Sequence, residues 1–507
     1  MYDPLESNSI PSQQPHAASY WHQHTQVDFP ATTEPLPETA DIVVIGGGYS
    51  GLNAALELAE NYQQRVVLVE ANQLGWGCST RNAGFAMPGT GRLGYAAWKK
   101  RCGEAVAQGI QAEYQLAFAR LERHLAACPQ QLQVQRGGYV KIAHNERAIG
   151  ELQSQYQALC DYEPNTQWLN REQIRTRVNS PQAHAAIHFP QSFGLNPLLL
   201  LASVARQAAA AGATLVENAA VSTWQTEPSG LHVLHTNKGT IRAPKIIVAT
   251  NGYTPNHFHP SIHGRSLPVL SSVVVTRPLS IEERAAIRLK PHELVMDTRA
   301  LKYYFRLLPD GRLLFGGRGA IRGRDAEHPR YVRHLLQAMA ATFPALKRLS
   351  QQAPDYSWSG WVSVALDDYP RIYSPAEGVY TTMGILRCWG DFYAAGGPTG
   401  CPVGDGRNHA RPTFLSVVAT QISATSAAPP RPVAVLRSEL RTPALTDSSV
   451  AAGNNGAAHH PALTDFSVAA GDNGAAHHPA LNAGLQPKHD FFAGEHAADE
   501  TDQQPAD

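Results

Sequence analysis

The chain has 507 residues, 43% of them hydrophobic, enough to bury a large core spread over roughly two or three domains. Lysine plus arginine equals aspartate plus glutamate at 42 each, so no global charge directs the protein to nucleic acid or an anionic membrane. Six scattered cysteines (Cys78, Cys102, Cys128, Cys160, Cys388, Cys401) form no CxxC pair, which fits a reducing cytoplasm and neither a disulfide framework nor a zinc site.

Residues 1–38 are polar and proline-rich, read as a flexible leader without the apolar stretch of a signal peptide. "ADIVVIGGG" then opens the ordered part. Helical spacing runs through "AAWKKRCGEAVAQGIQAEYQLAFARLERHL", followed by a strand in "QRGGYVKIAH" and a helix in "ERAIGELQSQYQAL". "LNPLLLLASVARQAAAAGATLVENAAVSTW" reads as helix, Gly212 stop and strand; its apolar run ends at Arg206, too short to span a bilayer. "GTIRAPKIIVATNGY" is a strand pair ending in a glycine turn. "LPVLSSVVVTRPL" is a strand, and "LKYYFRLLPDGRLLFGGRG" is a hairpin turning at Pro309-Asp310-Gly311. Strands dominate from there to about Gly384.

After Gly384 the character changes. Tryptophan ends at Trp389, tyrosine at Tyr393, and an 18-residue unit repeats, "PALTDSSVAAGNNGAAHH" then "PALTDFSVAAGDNGAAHH". Two copies are too few for a solenoid, so the tail from about residue 405 is expected to be disordered. The pairs His459, His460 and His477, His478 belong to this duplicated sequence and are read as carrying no metal function.

The strongest motif is "DIVVIGGGYSGLNAALELAENYQQRVVLVE", a buried strand, a turn, a helix and a second strand ending in Glu70. Gly46 permits the tight turn, Gly48 lets the backbone approach a pyrophosphate, and Gly51 allows close helix–strand packing. The helix N-terminus offers free N–H groups to phosphates, and Glu70 offers a carboxylate to a ribose diol. This unit alone leaves NAD and FAD open. The glycine-rich "ANQLGWGCSTRNAGFAMPG" directly after the acid, and the single GxGxxG, favour one extended dinucleotide, a flavin.

These residues resemble the FAD-dependent oxidoreductases of the D-amino-acid oxidase superfamily, and within it the gamma-glutamylputrescine oxidase-like branch. The shared motifs are "VVIGGGYSGL", "GWGCSTRNAGF", "GLNPLLLLASVARQAAAAGA", "IIVATNGYT" and "YYFRLLPDGRLLFGGR", in family order from about residue 19 to 384. The resemblance implies an α/β fold: a Rossmann-type FAD-binding domain with an α+β, antiparallel-sheet substrate domain. FAD-binding parts would lie at about 39–100, 195–265 and 355–384, and substrate parts at about 130–194 and 266–354. It assigns Gly46, Gly48, Tyr49, Ser50 and Gly51 to the pyrophosphate, and Glu70 with Ala71 to the adenosine ribose. Gly77, Cys78, Ser79, Arg81, Asn82, Ala83 and Gly84 would contact pyrophosphate and flavin. Val221 would meet adenine, while Ala249, Thr250 and Gly252 would close over the cofactor. The function implied is oxidation of the C–N bond of a small-molecule amine or amino acid by hydride transfer, with imine hydrolysis and reoxidation by oxygen or another acceptor.

Cys78 is expected to fill space in the cofactor loop, and Arg81 to contact pyrophosphate or flavin. Strand alternation puts Tyr304 and Arg306 on one face, where the arginine would clamp a substrate carboxylate. Trp358 and Trp361 are expected to pack under the flavin. No residue stands out as the base that deprotonates the amine. The family's GYxGxG turn and its helix are missing after Gly384, where the chain reads "ILRCWGDFYAAGG". A reading-frame change near Ile385 accounts for the missing motif and the composition shift together. The competing possibilities are a catalytically impaired FAD-binding remnant and a non-catalytic flavin-binding partner protein.

Overall fold

The segment Ile42–Ile45 is buried at every position and forms the middle of a six-stranded sheet. Its neighbours are Ile246–Val248 and Val66–Val69, both parallel to it. Thr214–Val216 extends the sheet beyond Val66–Val69, while Val379–Met383 and then Arg371–Ala376 extend the other side. Strands buried on both faces need near-continuous valine and isoleucine, which is how they read in sequence. The description rests on a computed structural model and covers residues 1–87, 94–127, 132–265, 267–364 and 371–384. The expected tail, its repeat, its histidine pairs and the reading-frame change lie outside these residues.

Helix Tyr49–Tyr62 and helix Pro197–Ala210 pack together on one face of this sheet. Asn196 caps the second helix through its side chain, Pro197 takes the first position, and Gly212 at φ +96° follows the end. Gly103, at φ +85°, breaks the long helical pattern into Tyr95–Cys102 and Glu104–Ala127.

An eight-stranded sheet carries the second layer, in the order Tyr356–Val364, Leu267–Pro278, Arg312–Arg318, Tyr304–Leu307, Leu294–Asp297, Tyr139–Ala143, Ala185–Phe189, Gln167–Leu169. It is antiparallel except where Leu294–Asp297 runs parallel to Tyr139–Ala143. The expected hairpin is present, with Tyr304 opposite Gly316 and Gly311 at φ +81° in the turn. A helix not anticipated from the sequence, Pro329–Thr342, covers one face of this sheet with Leu335, Leu336 and Met339.

The amino-terminal segment departs from its expected flexibility. Tyr20 and Trp21 are 4% and 1% exposed, in a short helix Tyr20–His24 capped by Ser19. Aromatic anchors spaced along a polar segment suffice to fix it, because each tryptophan or tyrosine buries a large apolar area.

Candidate functional site

Strand Ile42–Ile45 ends in Gly46 at φ +113°, whose N–H donates to Val69 O at 2.9 Å. A Cβ built on Gly51 would fall 1.9 Å from Gly46 O, so the helix crosses this turn at a distance only glycine permits. Gly48 is the helix N-cap and provides no side-chain cap, leaving first-turn N–H groups to other acceptors. One of these, Tyr49 N, donates to Ser79 Oγ at 3.0 Å; the hydroxyl oxygen stands where an anion's oxygen would be received. Ser50 and Gly51 complete the first turn.

Glu70 sits at the end of Val66–Val69, next to buried Ala71, with one carboxylate oxygen on the glycine turn and the other on its own following loop. Gly47 N donates to Oε2 at 2.7 Å and Asn72 N to Oε1 at 3.0 Å. Burial pushes its pKa up, opposed by those backbone donors. Each oxygen takes one backbone donor and keeps further acceptor capacity. Ala219 N donates to Glu70 O at 2.8 Å, which brings the segment leading to Val221 alongside. Ala249 N donates to Ile45 O at 2.8 Å, setting Ala249 and Thr250 beside the glycine turn, while Gly252 lies against Val362 and Ser363.

The loop after Glu70 folds back over the same end of the sheet. Cys78–Thr80 is one 3₁₀ turn, and Asn82 Nδ2 donates to Ser79 O at 2.7 Å while its Oδ1 accepts from Gly84 N at 2.7 Å. A Cβ built on Gly77 would just touch the Tyr253 ring, at 3.4 Å, and Ala83 is buried. Arg81 stands over the Trp76 ring at 5.0 Å, with Nε donating to Trp76 O at 3.0 Å and Nη1 to Ser359 O at 3.1 Å. Among the described residues Nη2 of Arg81 makes no hydrogen bond. Burial pushes the Cys78 thiol up to about 11, the state of a space-filling residue and not of a nucleophile. The indole of Trp358 donates to Arg81 O at 2.8 Å, and Trp361 is fully buried beside Tyr253. Gly384, at φ +79°, donates to Ser363 Oγ at 3.2 Å.

Arg306 is placed otherwise than the sequence suggested. It shares a face with Tyr304 as alternation requires, but it is 1% exposed, and its guanidinium donates to Gly84 O at 3.1 Å and Leu195 O at 2.8 Å. Gly194 leaves room for it, since a Cβ there would lie 2.0 Å from Nη1. Its planar fork is engaged by main-chain carbonyls, so it braces the cofactor loop in place of clamping a substrate. Tyr304 is half-buried, with its hydroxyl 2.9 Å from Ser271 Oγ.

The sequence reading missed contributions from the amino terminus. Trp21 Nε1 donates to Asn82 O at 3.0 Å, Trp76 Nε1 to Pro15 O at 3.0 Å, and Trp361 Nε1 to Tyr2 O at 2.7 Å. Tyr2 donates to Tyr253 O at 3.0 Å, and Gly323 N to the Asp3 carboxylate at 2.7 Å. Their only sequence signal was aromatic residues at Tyr2, Tyr20 and Trp21 within an otherwise polar stretch.

A parallel sheet with a glycine turn, a buried acid at the next strand end and a loop folded back over both defines a dinucleotide-binding protein. The chain belongs to the family of FAD-dependent oxidoreductases: residues 41–397 match the family model described as "DAO: FAD dependent oxidoreductase". Its cofactor is FAD. It is 30% identical over 380 residues to a probable oxidoreductase, OrdL, of Rhizobium meliloti, covering 72% of this chain and 82% of that one. It is 29% identical to gamma-glutamylputrescine oxidoreductase of Escherichia coli over 375 residues, 73% of this chain and 84% of the relative. The fold is shared with glycine oxidase from Geobacillus kaustophilus, at TM-score 0.57 and 22% identity, covering 71% of this chain and 92% of that chain. L-proline dehydrogenase from P. horikoshii matches with TM-score 0.57 and 20% identity over 71% and 91% of the two chains. Among the described residues no helix is long and apolar enough to cross a membrane.

Proposed function

We propose that this oxidoreductase oxidises the C–N bond of a small amine or amino acid, with gamma-glutamylated or simple aliphatic amines as the first class to test. The observation that carries this reading is the similarity to gamma-glutamylputrescine oxidoreductase across 84% of that relative's length. The site fits FAD on its own chemistry. A Cβ at Gly48 would fill the approach to the helix N-terminus, 2.8 Å from Ser79 Oγ, and Glu70 lies buried beside it.

In this proposal Gly46–Gly51 receive the pyrophosphate, Glu70 the ribose hydroxyls, and the loop 77–84 the flavin-proximal half. Bound FAD supplies the hydride acceptor, and oxygen or another acceptor closes the cycle. The protein's own task is to orient the amine, exclude water and favour its neutral form. Desolvation of the amine in a closed site works in that direction, because burial disfavours the charged form. Tyr304 remains the candidate for substrate contact from the sheet.

The test is anaerobic bleaching of the protein-bound flavin by a panel of polyamines, gamma-glutamylated amines and amino acids. Rapid bleaching by one class identifies the substrate type. A flavin reduced by dithionite but by no amine or amino acid on the panel would favour a non-catalytic flavin-binding protein.

A further inference from the structure

The Tyr304 ring lies across its own sheet instead of standing away from it. Opposite Tyr304 on the neighbouring strand is Gly316, where a Cβ would overlap the ring and come 2.5 Å from the hydroxyl oxygen. The ring takes the space that any other residue at 316 would fill. Its hydroxyl reaches Ser271, one strand further on, at 2.9 Å. The tyrosine and the serine are both half-buried, so part of their surface is accessible.

Two contacts tie this spot to the loop that follows Glu70. Phe85, the residue after Gly84, meets the Tyr304 ring edge-on at 6.1 Å between centroids and 80° between planes. Ser271 stands opposite Gly360 on the outer strand, and a Cβ on Gly360 would lie 3.2 Å from Cβ of Arg81. Opposed residues of an antiparallel pair share a face. The loop therefore comes down on this face at Phe85, beside the ring, and at Arg81, beside the serine.

The hydrogen bonds of Ser271 set the polarity of the phenol. Ser271 Oγ donates to Gly317 O at 3.1 Å; a carbonyl only accepts, so the serine's single hydrogen is committed there. The Tyr304 hydroxyl is then the donor in its contact with Ser271, and in any other hydrogen bond its oxygen can only accept. Such a group offers nothing to a carboxylate and suits one that carries N–H. A neutral primary or secondary amine keeps an N–H, whereas a neutral tertiary amine has none.

We propose that Gly316 and Ser271 are positioning residues that hold Tyr304 as an acceptor for the N–H of the substrate amine, selecting primary and secondary amines over tertiary ones. An N–H given to the phenol orients the nitrogen and leaves its lone pair to form the C=N bond as hydride departs from carbon. This rests on the amine-oxidation reading of the site.

A primary amine and its N-methyl and N,N-dimethyl forms are compared as reductants of the bound flavin, with rates expressed per neutral amine. The full chain is set beside Tyr304→Phe, Ser271→Ala, Ser271→Thr and Gly316→Ala. In the wild-type chain kcat/KM is expected to fall about tenfold or more at the N,N-dimethyl form. Tyr304→Phe should cost the primary and N-methyl amines about tenfold more than the N,N-dimethyl form, and so level the series. Ser271→Ala should narrow the gap, because the released hydroxyl turns its hydrogen toward the substrate, and Ser271→Thr should restore it. Gly316→Ala should narrow it by displacing the ring. A wild-type chain that takes all three amines alike overturns the proposal, as does a gap that survives in Tyr304→Phe or in Ser271→Ala. Loss of all three rates in equal measure, with weakened FAD binding by flavin fluorescence, marks a packing role and overturns it too. Should Gly316→Ala not fold, the two serine variants decide. A flavin that no amine reduces defeats the amine-oxidation reading. The polarity of Tyr304 is then decided by amine binding constants from shifts in flavin absorption: a wild-type preference for N–H-bearing amines that Tyr304→Phe abolishes supports it, and none overturns it.

Discussion

At Arg306 a cation is fully enclosed and spends two donors on carbonyls that belong to the cofactor loop and to the segment before Pro197. Arg306→Lys keeps the charge and loses the fork, leaving one buried carbonyl without its donor. The variant is expected to lose about 2–4 kcal/mol of stability in urea denaturation, with KM for carboxylate-bearing and simple amines changing alike. A selective rise for carboxylated substrates would restore the clamp. Glu293 makes a second residue-level prediction. It is 1% exposed, its carboxylate accepts no hydrogen bond among the described residues, and Arg177 Nη1 lies 3.2 Å away. Burial lifts it from 4.5 to about 7, against the pull of Arg177 and Lys290. The folded protein then holds a proton that the unfolded chain has released. The contribution is complete below about pH 4.5 and is lost as pH rises through about 7. Glu293→Gln should flatten stability between pH 5 and 8, removing a slope worth on the order of 2–3 kcal/mol; an unchanged slope assigns it elsewhere. Alternation along Tyr304–Leu307 was readable because a strand has period two. The partners of Arg306 were not, since they lie 222 and 111 residues away in sequence and are set by tertiary packing.

Among the elements, the amino-terminal segment has the largest consequence for the site. Composition predicts disorder where few apolar residues exist to offset chain entropy. Here Tyr2 is held by Tyr253 O, Trp21 by Asn82 O, and Tyr20 packs against Trp21 and Tyr356. Deleting residues 1–24 should cost on the order of 4 kcal/mol or more, because two nearly buried aromatic rings and three indole-to-carbonyl bonds are lost with it. Calorimetry of the shortened chain checks this; a melting temperature unchanged within a degree or so would return the segment to the status of a loose leader. The helix Pro329–Thr342 was legible by the same rules that found the others. His328 caps it, Pro329 opens it, and Val332, Leu335, Leu336 and Met339 recur at three- and four-residue spacing. The β-rich sequence around it masked that period.

For the whole molecule, the parallel sheet, glycine turn and acid were fully readable, because phosphate recognition by a helix N-terminus forces glycine at fixed spacing. The bracing of the cofactor loop by Trp21, Trp358 and Arg306 was not, because it joins segments far apart in the chain. The change after Gly384 bears on function as a whole. The sequence after Gly384 carries no GYxGxG, and a flavoprotein lacking that turn and the helix it opens would lose roughly 1–2 kcal/mol of dipole support for reduced flavin. Restoring that turn and helix after Met383 is expected to raise flavin occupancy and turnover together, while deleting residues 405–507 leaves both unchanged. Full occupancy and activity in the unaltered chain, or their loss on deletion, would refute the proposed reading-frame change.

The most direct measurement identifies the nucleotide released by denaturing purified full-length protein, in parallel with Glu70→Ala and Gly48→Val. Gly48 sits at φ −89°, so the backbone tolerates a side chain there, which would turn the Ser79 hydroxyl aside from 2.8 Å and fill the approach to the helix N-terminus. The expected result is FAD from the wild-type chain, with binding weakened by about 1.5–3 kcal/mol in Glu70→Ala and lost in Gly48→Val. Release of a nicotinamide dinucleotide, or FAD retained in full by both folded variants, would contradict it.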